Sequence, residues 1–283
     1  MSGARCSRSG DILDTKRLYS DSYTAYAAWH EKNMHLNELR TPQRDLVEHY
    51  LATLKIPDDG AVVEVGCGLG HLHICHPNWK GFEYADSAVA LAKKIYGPQL
   101  GIVEADGRDL PLASNSVDFL FSFDALEHIP ECEQAFDEIV RVMKPGATSY
   151  LHPAWNCRSW TVKKLEVRPY SELTLAEKIG KFLIPLRDNV AFRLMCNLPG
   201  RIVREVRLML GAKTLPLDYT PLHPDTDLWA RYDRNADDDA FICMDAHAAL
   251  VYFVSRGWTT PSHPGFLKRF TVRSGGILIH KPA

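Results

Sequence analysis

Apolar and polar residues in the first half of the chain alternate in blocks that predict strand, helix and strand in turn. Short apolar runs, rich in β-branched and aromatic residues, are typical of strands covered on both faces. They span Val62 to Val65, Gly81 to Tyr84, Gly101 to Glu104, Val117 to Ser122 and Thr148 to Pro153. Helical patterns separate them, most clearly over residues 86–97 and 132–143. The alternation predicts an α/β fold with a doubly wound, mostly parallel, Rossmann-like sheet.

The segment before the first strand is predicted to be helical. Thr41 is placed to cap a helix that has Pro42 at its first position. An aromatic-rich stretch precedes it, with Tyr19, Tyr23, Tyr26, Trp29, His30 and His35. We favour a helix that packs its aromatic residues on the core, and the alternative is a flap over a binding pocket. Residues 1–56 are therefore assigned to an N-terminal helical cap.

The end of the chain returns to the strand and helix pattern. Asp245 is expected to cap a helix that ends at Gly257. Residues 266–272, a turn at Ser274 to Gly276, and residues 277–280 predict a closing hairpin, so that the last strand is antiparallel. The predicted domain with the sheet therefore combines residues 57–154 with residues 241–283.

Residues 155–240 do not continue this alternation and are predicted to form a largely helical insertion after the fifth strand. Residues 155–213 hold twelve lysines and arginines against five acids, whereas residues 214–245 hold eight aspartates against two arginines. The basic part resembles a cationic amphipathic helix, interrupted at Pro199-Gly200. It could bind an anionic substrate or rest on an anionic membrane. Alternatively, its apolar stripe packs on the sheet domain or a second subunit while its arginines remain solvated.

Composition limits the remaining possibilities. The formal net charge of −2 implies no strong field for nucleic acid. No apolar run is long enough to span a membrane, and the N-terminus lacks the apolar core of a secretory signal. The cysteines number seven, an odd count without a CxxC pair, which favours free thiols in a reducing cytoplasm. The run Asp237 to Asp239 is expected to be a solvated loop, and no metal site is predicted.

The turn after the first strand, Gly66-Cys67-Gly68-Leu69-Gly70, indicates a ligand site. It lacks the Lys-Ser/Thr pair that a nucleoside triphosphate requires, and Glu64 would repel a dinucleotide pyrophosphate. An acid there suits an α-amino group. Glu83 could accept from ribose hydroxyls and Asp106 from an adenine amino group. Together these acids predict S-adenosylmethionine as the cofactor.

Four motifs carry a resemblance to a known family: ExGCGxG, GFEYADSAVALAKK, EADGRDLPLASNSVDFLFSFDALEHI and the later KPGA turn. They resemble the class I S-adenosylmethionine-dependent methyltransferases, in the small-molecule branch with a type 11-like core that includes the quinone-biosynthesis enzymes. The resemblance implies a seven-stranded sheet with an antiparallel last strand. The first helix departs from the family pattern, because the chain before Glu83 is short and contains Pro77. Asp86 is the alternative to Glu83 as the acceptor from the ribose hydroxyls.

The resemblance also assigns the cofactor-binding residues. Glu64, Gly66 and Gly68 would hold the methionine part, and Glu83 the ribose. Asp106 with Gly107 would contact the adenine, and Phe123 would lie near the cofactor. Cys67, Gly70 and Tyr84 complete the predicted cofactor-binding set, with Cys67 expected to pack and not to react.

Methyl transfer to a hydroxyl requires a base, for which histidine is suited near neutral pH. His128 and His152 follow the fourth and fifth strands and are the candidates, although His128 is also interpreted as structural. The expected acceptor is a small or lipid-linked molecule, with a sugar or secondary-metabolite hydroxyl favoured. Carbon methylation of the quinone type is the alternative. A non-catalytic protein that binds S-adenosylmethionine as a scaffold is the alternative from another class. The acceptor and the oligomeric state are left open.

Overall fold

A computed structural model describes residues 9–32, 41–232 and 237–283. Its main sheet has six strands in the order β3-β2-β1-β4-β5-β8. The strands are β1 (Val62–Val65), β2 (Trp79–Glu83), β3 (Ile102–Glu104), β4 (Val117–Phe123), β5 (Met143–His152) and, at the edge, β8 (Ile277–His280). Strands β6 (Tyr219–Pro221) and β7 (Ile242–Met244) form a separate antiparallel pair. Strands β1 to β5 pair in parallel, and β8 runs antiparallel to β5.

The predicted doubly wound sheet with an antiparallel last strand is confirmed, but the implied count of seven strands is wrong for the described residues. Residues 266–272 are predicted to be a strand, but the first five of them belong to the helix α11 (Gly265–Phe270). Phe266 and Phe270, one helical turn apart, stack with ring centroids 5.3 Å apart. Apart from its pairing with β5, β8 has only an isolated bridge from Thr259 to His280 within the described chain. The closing hairpin is therefore absent.

Helices cover both faces of the sheet and build the insertion. They are α1 (Ser9–Lys32), α2 (Pro42–Leu54), α3 (Asp86–Tyr96), α4 (Cys132–Val142), α5 (Ser159–Val162), α6 (Leu175–Phe182), α7 (Ile184–Asp188), α8 (Val190–Met209), α9 (Thr226–Arg231), α10 (Ala246–Val254) and α11. Short 3₁₀ helices occur at His71–Cys75, Leu126–His128 and Tyr170–Glu172. The first of these confirms a curtailed helix after the glycine turn.

Helix caps follow the sequence in two of three places. The Thr41 side chain accepts from Arg44 N, and the Asp245 side chain accepts from His247 N, so both predicted caps are confirmed. The third helix differs, because α3 has Ala85 at its N-cap and Asp86 inside its first turn. From the sequence, Asp86 or Ser87 is the expected cap of this helix, and both lie inside it. The Asp86 carboxylate accepts from Ser87 N and from the Ser20 hydroxyl of α1.

The alternation of side chains along the strands divides the core in two. Val63, Val65 and Leu120 contribute to a cluster with α4 and α10. Val62 and Phe119 face the other way, into a cluster with α2. Because both faces are covered, the cavity described below lies at the carboxyl edge of the sheet, where the strands end.

The insertion is largely helical, as predicted, but its long helix is not interrupted. Helix α8 continues through Pro199 from Val190 to Met209. Proline has no N–H for the carbonyl one turn earlier, and its ring crowds that carbonyl, yet the helix on either side persists. The acidic run is also not a solvated loop, because Asp238 is buried in an ion pair with Lys164. None of the described helices has the length and apolarity needed to cross a membrane.

Candidate functional site

The glycine turn leaves β1 in a conformation that only glycine adopts easily. Gly66, Gly68 and Gly70 have φ angles of 71°, 53° and 70°. A Cβ added at Gly66 would lie 2.2 Å from the Cβ of Ala125, so the close approach of these two residues also leaves no room for a side chain at Gly66. Gly66 N donates to Phe82 O at 2.8 Å, which joins the turn to the end of β2. The turn therefore presents backbone, and not side chains, to the space above it.

Glu83 fixes the other side of this turn. Its carboxylate accepts from Gly68 N and from Ala85 N, each at 2.9 Å. Glu83 is 8% exposed, and burial raises the pKa of its carboxyl against the lowering effect of these two hydrogen bonds. Each carboxylate oxygen keeps a second lone pair, so Glu83 can still accept from a ligand hydroxyl.

A cavity of about 160 Å³ lies above the turn. Strand ends, the turn, the 3₁₀ helix at residues 126–128 and helix α1 all contribute to its walls. Its lining residues are Tyr19, Tyr23, Val65, Gly66, Gly68, Phe82, Glu83, Tyr84, Ala105, Asp106, Gly107, Arg108, Asp124, Ala125, His128, Ile129 and Pro130. The walls thus combine apolar and aromatic groups with carboxylates and one imidazole, which suits a nucleoside carrying a polar side chain.

The cavity brings together seven of the predicted site residues and leaves five outside its lining. Those in the lining are Gly66, Gly68, Glu83, Tyr84, Asp106, Gly107 and His128. Those outside it are Glu64, Cys67, Gly70, Phe123 and His152. Cys67 and Phe123 pack in the apolar cluster beside α2, and Gly70 precedes the first 3₁₀ helix. These outer positions shape the turn and the core beneath the cavity.

Glu64 differs most from its predicted role. Its carboxylate is 5% exposed and accepts from the indole N–H of Trp79 at 3.1 Å. Burial raises the pKa of this carboxyl well above its ordinary value. Alternation along β1 directs Glu64 to the opposite face from Val65, which lines the cavity. Glu64 is thus a buried polar group of the core, and it does not contribute to the cavity wall.

The raised pKa of Glu64 predicts a pH-dependent loss of stability. The folded state retains this proton after the unfolded chain has lost it near pH 4.5, so stability falls as pH rises from there toward the folded pKa. Glu64→Gln keeps an acceptor for Trp79 and removes the charge. We expect the variant to equal the wild type at pH 4 and to have the higher unfolding free energy at pH 8. Urea titrations at both pH values measure this, and a constant difference would contradict it.

Asp106 and Arg108 form one unit in the cavity wall. Arg108 donates to both oxygens of Asp106, from Nε at 3.0 Å and from Nη2 at 2.6 Å. Burial acts to raise the pKa of Asp106, but the guanidinium hydrogen bonds outweigh it and the pKa is lowered. Asp106 is therefore an ionised acceptor held in a fixed orientation. Arg108 was not identified from the sequence, although it stands two residues further on.

His128 lines the cavity, and two acidic residues, Asp239 and Glu127, contact its ring. Its Nδ1 lies 3.3 Å from Asp239 O and 3.4 Å from Asp239 Oδ1, so Nε2 is the ring nitrogen that does not contact Asp239. Glu127, 1% exposed, lies beneath it, with Oε1 3.8 Å from His128 Nε2. That oxygen also accepts from Ala154 N at 2.9 Å. The acidic loop thus reaches the site, although its spacing gave no indication of this.

Asp124 lines the cavity together with His128 and also contacts the second predicted histidine, His152. It follows β4, lines the cavity and has a φ of 46°, unusual for a residue with a side chain. His152 is outside the lining, with Nδ1 3.6 Å from Asp124 Oδ1, and this carboxylate raises the pKa of His152. Strained backbone next to a cavity often marks a functional position. Asp124 lies within the motif FSFDALEHI, which was the available signal for it.

Helix α1 closes one side of the cavity. Tyr19 and Tyr23 line it, and both also pack on the cluster that includes Leu69 and Ala88. Tyr19 and Tyr23 therefore agree with both interpretations of the aromatic stretch, because they pack on a core cluster and also line the cavity. Trp29 is 58% exposed, so it does not pack on the core. The side chains of Tyr26 and His30 and all of His35 lie outside the described residues.

Sequence comparisons identify the domain. Residues 63–151 match a family model described as a methyltransferase domain. Together with the sheet order and the glycine turn, this match shows a methyltransferase domain and supports a class I S-adenosylmethionine-dependent methyltransferase. The cofactor of that class is S-adenosylmethionine, and the matching segment runs from the second residue of β1 to the next-to-last residue of β5.

Relatives show a range of acceptors. A sterol 24-C-methyltransferase of Gibberella zeae is 30% identical over 110 residues, 35% of this chain and 29% of that protein. An ajmaline N-methyltransferase of Rauvolfia serpentina is 26% identical over 56% of this chain and 60% of that one. A chain in the complex of the Haloferax volcanii Trm112 methyltransferase activator with a methyltransferase has 18% identity and a TM-score of 0.42, covering 93% and 97%. The chain spans about a third of the length of the first curated relatives.

Proposed function

We propose that this protein transfers a methyl group from S-adenosylmethionine to a small-molecule or lipid-linked acceptor, with a hydroxyl oxygen favoured. The observation that carries this is the cavity at the carboxyl edge of the sheet, where Gly66, Gly68, Glu83 and Asp106 stand beside an oriented His128. The same set of residues would hold a cofactor and accept a proton from an acceptor.

Each group of the cofactor has a proposed counterpart in the cavity. Glu83 would accept from the ribose hydroxyls, because its oxygens keep free lone pairs. Asp106 and Gly107 would contact the adenine, with Ile129 providing an apolar wall. Backbone at Gly66 and Gly68 would approach the methionine part without a Cβ in the way. The role proposed for Glu64 is indirect, since it holds Trp79 beneath the turn.

His128 is the proposed base. The bound cofactor supplies an electrophilic methyl group, and the acceptor hydroxyl must lose its proton as the new carbon–oxygen bond forms. His128 Nε2 would take that proton, while Asp239 at Nδ1 orients the ring. Asp124 would help to orient the acceptor, since this residue lines the same cavity. The positioning of the acceptor and exclusion of water by Tyr19 and Tyr23 would supply much of the rate.

Carbon methylation remains the second candidate, supported by the sterol 24-C-methyltransferases among the relatives. A base is equally useful there, because a proton must leave the methylated carbon. The non-catalytic scaffold is the alternative from another class, and the oriented imidazole inside the cavity argues against it.

The test combines binding with turnover. Calorimetry with S-adenosylmethionine and with its demethylated product measures binding, and labelled methyl donor with a panel of hydroxyl, quinol and lipid-linked acceptors measures transfer. We expect His128→Asn to reduce turnover about 100-fold or more, with cofactor affinity within about threefold of the wild type.

The matched control is His49→Asn, because His49 is exposed on α2 and lies outside the cavity. Its turnover should equal that of the wild type. Absence of binding to either cofactor form would refute the assignment as a whole. Binding without transfer to any acceptor would favour the scaffold.

A further inference from the structure

Helix α8 turns its charged face toward the rest of the protein and its apolar face toward solvent. Its inward face carries Arg201 and Glu205, which are 4% and 2% exposed. Arg201 donates to both carboxylate oxygens of Asp245, at 2.8 and 2.6 Å, and Arg269 donates to both oxygens of Glu205, at 2.7 and 2.6 Å. Charged side chains therefore attach α8 to the sheet domain. The interpretation that its apolar stripe packs on that domain is wrong.

The outward face of α8 is apolar. We call it the outer face and define it by seven residues of α8 and the residue that follows the helix. These side chains are 41–81% exposed: Leu194, Met195, Leu198, Ile202, Val203, Val206, Met209 and Leu210. A helix whose apolar side is presented to solvent loses the stabilisation that burial would give, so this face is suited to contact with another apolar phase.

Neighbouring helices extend the outer face. Leu175 and Phe182 of α6 are 76% and 75% exposed, and α6, α7 and α8 pack consecutively. At the other end, Met209 and Phe266 line the same cleft, which joins α11 to α8. Leu267 of α11 is 70% exposed. Large exposed apolar side chains thus occur on α6, α8 and α11, with α7 packed between the first two, which is more than the scattered exposed residues of an ordinary surface.

Charge determines which partner fits the outer face. Lys178, Arg207, Lys213 and Lys268 are exposed and form no ion pair within the described residues. The acids of α6, α7 and α8 are Glu177, Asp188 and Glu205, and each is engaged by an arginine. The border of the outer face is therefore cationic.

A cationic border around an apolar surface complements an anionic lipid bilayer. A second copy of this chain fits less well, because a two-fold contact would bring the same cations opposite one another. We propose that the outer face docks on an anionic membrane surface, with α8 lying in the plane of the interface. This docking does not depend on the proposed methyl transfer, and no spanning helix is needed for it.

Vesicle co-sedimentation with the full chain tests the proposal. We expect binding to phosphatidylcholine vesicles containing 30% phosphatidylserine, weaker binding to pure phosphatidylcholine, and a decrease with salt as the charges are screened. The double variant Ile202→Glu/Val206→Glu should bind about tenfold more weakly, because it places charge in the buried part of the interface. Val103→Glu is the matched control, since Val103 is 42% exposed on the edge strand β3. It should bind like the wild type.

Two further measurements keep the result unambiguous. Product binding by calorimetry and thermal melting should be unchanged in the double variant, because its positions face away from the core. Sedimentation velocity without lipid reports self-association. A dimer that Ile202→Glu/Val206→Glu dissociates, with no vesicle binding by the wild type, would overturn the proposal. Equal vesicle binding by the wild type and the double variant would overturn it as well.

Discussion

Glu83→Ala should weaken binding of S-adenosylmethionine about 100-fold. The variant removes the proposed acceptor of the ribose hydroxyls, and hydrogen bonds to a charged acceptor contribute roughly 1.5–3 kcal/mol each. It also leaves Gly68 N and Ala85 N without the carboxylate that now joins them. The glycine turn would then lose part of its preorganised shape, which adds to the loss. Isothermal titration calorimetry with the donor and its demethylated product measures the affinity.

Asp86→Ala is the matched comparison, because Asp86 was the alternative ribose acceptor. Asp86 lies outside the cavity lining, in the first turn of α3, where it accepts from the Ser20 hydroxyl. We expect its variant to bind the cofactor within about threefold of the wild type. A larger loss in Asp86→Ala than in Glu83→Ala would show that the ribose is held at the other acid.

Lys164→Met should destabilise the protein by about 3–5 kcal/mol. Lys164 and Asp238 are both completely buried, and their ion pair joins the basic and the acidic parts of the insertion. Removing one partner of a buried pair leaves the other charge in a poorly solvated environment, which is the main source of this effect. Chemical denaturation monitored by tryptophan fluorescence gives the change in unfolding free energy.

Two control variants separate this effect from loss of side-chain volume. Lys163→Met changes the exposed neighbour and should alter stability by less than about 0.5 kcal/mol. The double variant Lys164→Met/Asp238→Leu removes both charges and should recover at least half of the loss. If the double variant were as unstable as Lys164→Met, the buried charge would not be the cause.

Because Asp239 follows Asp238 and contacts His128, turnover should fall in Lys164→Met as well.

The sequence predicted the cofactor side of the site better than the remainder. The β-branched run of β1, the three glycines and the acids after β2 and β3 are close in the chain to the elements that position them. Local pattern therefore sufficed to place Gly66, Glu83 and Asp106 at one sheet edge. Glu64 lies outside the cavity lining, and its partner, Trp79, comes from the neighbouring strand, a contact that local pattern does not encode.

Other residues depend on contacts that spacing does not encode. Asp239 reaches His128 across 111 residues, and Tyr19 and Tyr23 reach the cavity from a helix that precedes the domain. Residues 266–272 carry apolar groups compatible with either a strand or a helix. The stacking of Phe266 on Phe270 and the ion pair of Arg269 with Glu205 accompany the helix.

By itself the sequence determined the parallel sheet, the glycine turn and the donor, because periodicity and turn chemistry are local properties. The tertiary structure decided which face of α8 turns inward. The pattern of α8 shows one apolar and one charged stripe, and a local pattern favours burial of the apolar one. Asp245, His247 and Arg269 lie far along the chain and supply partners for Arg201 and Glu205, so the charged stripe is buried and the apolar stripe remains outside.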